Sequence, residues 1–308
     1  IAFASAPGSN ANSVGEYITA ALLTLADWRG FKIQNKTLGI IGHGNVGKRV
    51  EAEARALGMR YILNDPPLER ETIDDTYRPL AELLEQSDII TTHVPLTKEG
   101  PDATHHMMNR DFFERAKTGV IIMNTARGAV AKGNDLRDAL ESGKVGASVL
   151  DVWENEPNID LNLFANLALG TPHIAGYSFD GKVNGTRQIY EAACAFLRIE
   201  PAWEPEPLLP APDRPEIRVE GVTDLMEAVR SAVLTVYDIR QDDKALRRII
   251  TMPAEERAAE FDGLRKNYPR RREFRNTRVI VEPSDSETQE VLANLGFRVN
   301  VKAAGSTA

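Results

Sequence analysis

The chain has 308 residues, 42% of them hydrophobic and 27% charged, with a formal net charge of -8. That length holds two cores of about 100–200 residues each, and the acidic balance excludes general nucleic-acid binding, which needs Lys and Arg to neutralise phosphates. No apolar run approaches the roughly 18 to 20 residues that span a bilayer as a helix, so membrane insertion is not expected.

Residues 1–6 read as an apolar strand, without an initiator Met, as if from the middle of a longer protein. Pro7 and Gly8 break it, and Asn12 or Ser13 then caps a helix whose apolar positions Val14, Ile18, Ala21, Leu22 and Leu25 recur at helical spacing. From Thr37 the chain alternates strand and helix. The run TLGIIG ends in Gly42, which with Gly44 and Gly47 forms G-x-G-x-x-G: a tight turn, a place where backbone can approach a pyrophosphate, and close packing of the next helix on the strand. Glycines so spaced also occur in ordinary turns, and the neighbours decide.

One such neighbour is Asp65, which ends the second strand 18 residues beyond Gly47. An acid at about that spacing meets the adenosine ribose hydroxyls and repels a 2'-phosphate, which selects NAD over NADP. The bland alternative is a turn residue ahead of Pro66 and Pro67. The alternation continues through strands SDIITTHVPL, GVIIMNTARG, VGASVLDVW and LALGTPHIA, apolar enough for a parallel sheet covered on both faces. Ligands of such sheets bind beyond the carboxyl ends of the strands, where His93, Arg127, Asp151, Glu156 and His173 cluster. Cys194 sits in the apolar stretch AACAFL and reads as a buried core thiol; as the sole cysteine it forms no internal disulfide, and no basic segment precedes an apolar one at the start, so a cytoplasmic location is expected.

A Pro-rich linker after Glu200 introduces a separate unit: a strand at Glu216–Val219, a helix from Thr223 to about Tyr237, further helices, strand TRVIVE, and helix ETQEVLANLG leading into FRVNV. Arg270, Arg271, Arg272, Arg275 and Arg278 form a basic cluster interrupted by Glu273, expected to be a solvated or subunit-contact face.

Three residues suit the oxidation of a 2-hydroxy acid. Arg127 offers a planar, permanently charged fork for a carboxylate. His173 can take a hydroxyl proton near neutral pH, and Glu156 can hold the imidazole and favour its charged form. Singly, each has a duller reading: a surface ion pair, a loop acid, a core histidine.

The segments NTARG, DVWENEP and TPHIAG resemble the signatures of the D-isomer-specific 2-hydroxyacid dehydrogenases, over roughly residues 1–197. The resemblance places that family's catalytic Arg, Glu and His on Arg127, Glu156 and His173. It puts Gly42, Gly44, Asn45, Val46, Gly47 and Asp65 in the NAD site, with Val94 and Pro95 on the adenine side, Thr125 and Arg127 bordering the nicotinamide, Asp151 near the carboxamide and Gly176 as a backbone contact. The segments GYSFDGK, VYDIRQDD and FDGLRKNYPRRREF are similar to a branch acting on a phosphorylated 2-hydroxy acid in pyridoxal 5'-phosphate synthesis, with Tyr177 at a substrate contact. The alternative for Tyr177 is an aromatic packed under the following helix; Lys182 and Arg187 are added as phosphate candidates.

The implied architecture is α/β: a Rossmann-type doubly wound parallel sheet at 13–175, the remnant of a flavodoxin-like substrate domain at 1–12 and 176–199, and a C-terminal α+β dimerisation domain at 200–308, giving a homodimer. That family's substrate domain begins ahead of Ile1, so a fragment or a truncated protein is expected. Another 2-hydroxyacid dehydrogenase, for instance one for phosphoglycerate, and an NAD-binding dimer without turnover stay open as alternatives. No metal, nucleic-acid or membrane partner is expected.

Overall fold

The computed structural model describes residues 2–72, 75–282 and 285–301. The chain divides into two compact units, one of Ala21–Ala175 with Ile239–Tyr268 and the other of the residues up to Ala20, Gly176–Asp238 and those from Pro269 onward. Helix α1 (Ala11–Arg29) contributes residues to both.

The larger unit alternates β1 (Thr37–Ile41), α2 (Asn45–Ala56), β2 (Arg60–Asn64), α3 (Pro66–Glu71), α4 (Leu80–Gln86), β3 (Ile89–Thr92), α5 (Arg110–Arg115), β4 (Val120–Asn124), α6 (Gly133–Glu141), β5 (Val145–Leu150), α7 (Leu161–Ala165) and β6 (Leu169–Gly170). Its six strands lie in the order β2-β1-β3-β4-β5-β6, and every pairing is parallel. Strands β1, β3 and β4 are buried along their whole length, which is why they read as unbroken apolar runs. The order reverses between β1 and β3, so the carboxyl ends of these two strands flank the crevice where such sheets take ligands.

Short side chains set the helix starts. Asp65 accepts the Leu68 N–H at 3.0 Å with Pro66 in the first turn of α3, Asn109 accepts from Phe112 at 3.2 Å to open α5, and Asp160 accepts from Asn162 and Leu163 to open α7. Neither α3 nor α7 stands out in the sequence, being too short to show a period. The core runs through Leu83, Ile90, Phe113, Ile122, Val130, Leu136 and Phe164, each worth about 1.5–3 kcal/mol on burial.

The segment 239–268, read from sequence as part of the C-terminal domain, packs in this larger unit as α10 (Ile239–Arg247) and α11 (Ala254–Lys266), once α8 (Phe179–Leu197), β7 (Glu216–Val219) and α9 (Leu225–Val236) have been passed in the chain. Strand β6 is a sheet edge with a backbone donor to satisfy, and Asp243 of α10 accepts the Gly170 N–H at 2.8 Å. Arg247 holds Asp243 at 2.7 Å and donates to the Leu167 carbonyl at 3.0 Å. Leu246 and Phe261 complete the apolar core.

The smaller unit carries a parallel sheet, β7-β8-β9, completed by β8 (Arg278–Val281) and β9 (Arg298–Val301), with α12 (Ser286–Asn294) between them. Phe274 and Phe297 stack with ring centroids 4.5 Å apart. Two expectations change. The opening strand does not form: residues 2–6 have no ladder partner, and Phe3 is 91% exposed. The arginine cluster is a solvated face only in part: Arg270, Arg275 and Arg278 are exposed, but Arg271 and Arg272 are each only 8% exposed. Arg271 donates to Glu16 of α1 at 3.0 Å, and Arg272 pairs with Asp180 of α8 at 2.9 Å, so acidic side chains of two helices hold both guanidinium groups inward. Cys194 is buried, as expected of a core thiol.

Candidate active site

The glycine loop leaves β1 at its carboxyl end. Gly42 has φ +87°, and a side chain there would stand 2.8 Å from the His93 carbonyl carbon and oxygen. A side chain at Gly47 would collide with the Gly42 carbonyl, so these two glycines are required by the fold itself. Gly44 differs. It has ordinary φ, and nothing lies within 4 Å of where its Cβ would be. Packing gives no reason for glycine at that position, whereas close approach of a ligand does. Gly44 and Asn45 are exposed and Val46 half-buried at the start of α2, whose N-cap has no side-chain acceptor, so the first-turn N–H groups face outward for an anion. These features fit a dinucleotide pyrophosphate.

Asp65 serves the loop as well as its own turn: one carboxylate oxygen caps α3 while the other accepts the His43 N–H at 2.7 Å. The half-buried carboxylate therefore sits at the end of β2 against the glycine loop, where a ribose would reach it. His43, absent from the sequence reading, is buried and bonded on both ring nitrogens, to Tyr77 at 3.1 Å and Glu51 at 2.8 Å. It is a bracket for the loop. After β3, Val94 is half-buried while Pro95 and Leu96 are exposed, an apolar ledge beside the loop. His93 meets Thr91 at 3.0 Å and Thr125 at 3.2 Å, and burial pushes its imidazole far below the ordinary histidine range, keeping it neutral.

Arg127 follows β4 in the turn that Asn124 fixes, the Asn124 amide donating to the Arg127 carbonyl at 3.1 Å and accepting from the Ala126 N–H at 3.0 Å. The side chain of Arg127 is exposed, its guanidinium resting on the Ala126 carbonyl at 2.7 Å. Gly128 beside it has no room for a side chain, because the Trp153 carbonyl lies against it. Glu156 accepts the Trp153 N–H at 2.7 Å with one oxygen and meets His173 Nδ1 at 2.8 Å with the other. The His173 ring is 31% exposed, and its backbone takes φ +57°, held by an N–H bond to the Thr171 carbonyl at 3.0 Å.

Asp151 is 1% exposed and does not reach outward as a free group. It accepts from Thr171 Oγ1 at 2.7 Å, Ile174 N at 2.7 Å and Ala175 N at 2.9 Å, clamping the turn that carries His173. Burial nonetheless pushes its carboxyl upward, against the lowering effect of those donors.

In the smaller unit, Ser178 caps α8 through the Gly181 N–H at 2.7 Å. Tyr177 is half-buried with the Lys182 ammonium 5.1 Å from its ring centroid, and Arg187 is bonded to Glu206. Gly176 lies against Asn10, which leaves no space for a side chain. Trp153 and Asn124 went unnoticed in the sequence, although both stand inside the quoted motifs; their side chains act on backbone N–H and C=O groups, partners that a residue-type search does not see.

Residues 15–175 match the family model described as D-isomer specific 2-hydroxyacid dehydrogenase, NAD binding domain, and residues 208–296 match a domain of unknown function. An erythronate-4-phosphate dehydrogenase of Yersinia enterocolitica is 42% identical over 297 residues, 96% of this chain and 77% of that protein. The one from Escherichia fergusonii is 41% identical, over 96% and 76%. Among solved structures, a glyoxylate reductase from Paecilomyes thermophila superposes with a TM-score of 0.52 at 30% identity, covering 67% of this chain and 69% of that one. An NAD-dependent formate dehydrogenase from Staphylococcus aureus in complex with NAD gives 0.52 at 26%, covering 65% and 66%.

Proposed function

The chain belongs to the D-isomer-specific 2-hydroxyacid dehydrogenases, and on that premise we propose that it oxidises 4-phospho-D-erythronate with NAD to the 2-oxo acid phosphate, in pyridoxal 5'-phosphate synthesis. The observation that carries the chemistry is the His173–Glu156 pair at 2.8 Å, in the same unit as Arg127 and the glycine loop. The relatives named above carry the choice of substrate.

When bound, NAD supplies the hydride acceptor. Gly42, Gly44, Asn45, Val46 and Gly47 would hold its pyrophosphate, Asp65 its ribose, Val94 and Pro95 its adenine, and Thr125 its nicotinamide end, while Asp151 holds the turn that carries His173. Arg127 binds the substrate carboxylate with its guanidinium fork and fixes the orientation of the neighbouring carbon. Glu156 accepts the Nδ1–H of His173, which leaves Nε2 as the base for the C2 hydroxyl proton. In the smaller unit, Tyr177 and Lys182 are the candidates that the resemblance and the residue chemistry offer for a substrate contact and for its phosphate. The smaller unit pairs two chains into a homodimer. A cytoplasmic location follows from this metabolic role and the lone thiol; among the described residues no helix is long and apolar enough to cross a membrane.

The test is initial-rate oxidation of 4-phospho-D-erythronate, D-3-phosphoglycerate and D-lactate with NAD and with NADP, beside equilibrium binding of NAD. The reading expects the first substrate and NAD to give the highest kcat/KM. A tenfold preference for either other acid would overturn the substrate, and tight NAD binding with no turnover on any acid would favour a cofactor-binding dimer. Light scattering reads the oligomeric state.

A further inference from the structure

Trp153 touches all three segments that carry Arg127, Glu156 and His173. Its N–H donates to Glu156 Oε1 at 2.7 Å, and its carbonyl lies against Gly128, next to Arg127. Its indole Nε1–H donates to the Thr171 carbonyl at 2.9 Å, the same oxygen that accepts the His173 N–H at 3.0 Å. The ring itself is 5% exposed and fixed edge-on against Phe164, centroids 5.1 Å apart. Gly170 makes room for it: a side chain there would stand 2.9 Å from Trp153 Cη2. Arg247 covers the other ring of this stack, its guanidinium 5.0 Å from the Phe164 centroid.

From this we infer that Trp153 is a positioning residue for the proposed dehydrogenase reaction, its indole N–H holding the Thr171 carbonyl on which His173 turns. The inference rests on the function proposed above for what His173 does, but the geometry of the hold stands apart from any substrate. His173 keeps a left-handed backbone, φ +57°, which a non-glycine residue adopts only when its surroundings enforce it. One enforcing contact is the Thr171 carbonyl, and that oxygen is fixed from its far side by the indole. Without the donor, the carbonyl loses one of its holds, the His173 turn loosens, and the Nδ1–H bond to Glu156 that sets the imidazole tautomer loses its geometry. Packing alone would be served by any large apolar ring; the N–H is what distinguishes tryptophan at this position.

The experiment compares wild type, Trp153→Phe, and protein in which residue 153 is benzothienylalanine, where sulfur replaces the indole N–H at nearly unchanged shape. The last keeps the test open if the smaller phenyl ring harms folding. Three readouts are taken: kcat and KM, the NAD dissociation constant, and the 15N imidazole signals of His173, which report its tautomer without substrate. The expected result for both replacements is a fall in kcat of about tenfold, NAD affinity within about twofold, and a shift of His173 from the Nδ1–H form to a tautomer mixture. An unchanged kcat with an unchanged His173 tautomer in the benzothienylalanine protein overturns the inference. Wild type that shows no turnover on any of the three acids, with the tautomer still shifting, overturns the function while leaving the positioning role in place.

Discussion

Two histidine–glutamate pairs hang from one loop of this protein. Glu156 meets His173 at 2.8 Å and Glu154 meets His106 at 2.6 Å, and the two histidines are equally exposed at 31%. Both histidines have positive φ. What separates them is where the other carboxylate oxygen goes. Glu154 gives it to the Gly133 N–H at 2.7 Å, the first residue of α6, so this pair closes a helix end. Glu156 gives it to the Trp153 N–H within its own loop, which orients the carboxylate and commits the pair to nothing but His173. A short His–Glu contact therefore says little about catalysis; the second oxygen's partner, and the company of Arg127, say more.

Replacement of the histidines is the strongest way to break this contrast. His173→Ala is expected to lower kcat by about 10³-fold, whereas His106→Ala stays within about twofold, as measured by steady-state rates on the proposed substrate. Equal losses in the two variants would erase the distinction. The glutamates give the next largest effect. Glu156→Gln offers His173 an amide that can donate to Nδ1 and favour the wrong tautomer, so kcat falls by about 10²-fold with little change in melting temperature. Glu154→Gln reverses the pattern: near-normal rates, with about 1 kcal/mol of stability lost from the weakened α6 cap in a urea titration.

The same contrast marks how far the sequence was readable. The runs that became β1, β3 and β4 were legible because burial on both faces leaves an unbroken apolar signature, and G-x-G-x-x-G identified its loop because two of its glycines are forced by the fold. The segments around Arg127, Glu156 and His173 were visible as motifs; that His106 repeats the local geometry of His173 was not, because Glu154 and His106 lie 48 positions apart. The arginine cluster misled for a related reason. Charge alternation resembles a solvated face, and the partners that bury Arg271 and Arg272 come from Glu16 and Asp180, far away in the chain. Helix α10 joins the larger unit through Asp243, a side-chain acceptor that no periodicity reports, and α11 through Phe261.

Glu16 carries the comparison to a carboxylate with no histidine at all. It is fully buried in the smaller unit, bonded by Phe274 N at 2.7 Å and Arg271 at 3.0 Å, with Glu273 also close enough to act on it. Burial pushes its carboxyl from an ordinary 4.5 up to about 8; Arg271 and the Phe274 N–H pull it down, and the negative charge of Glu273 adds to the rise. Between those two values the folded protein keeps a proton that the unfolded chain has released. The contribution of Glu16 to stability is therefore greatest below pH 4.5 and is lost as pH rises toward 8. Glu16→Gln removes this dependence while keeping an amide that can still accept the Phe274 N–H. The difference in melting temperature, wild type minus variant, is thus expected to fall between pH 5 and 8, by a shift on the order of 5 °C. A difference that stays flat or rises across that range would mean that Arg271 outweighs burial and that Glu16 is already an ion in the fold, a carboxylate held by its cation as Asp180 is by Arg272.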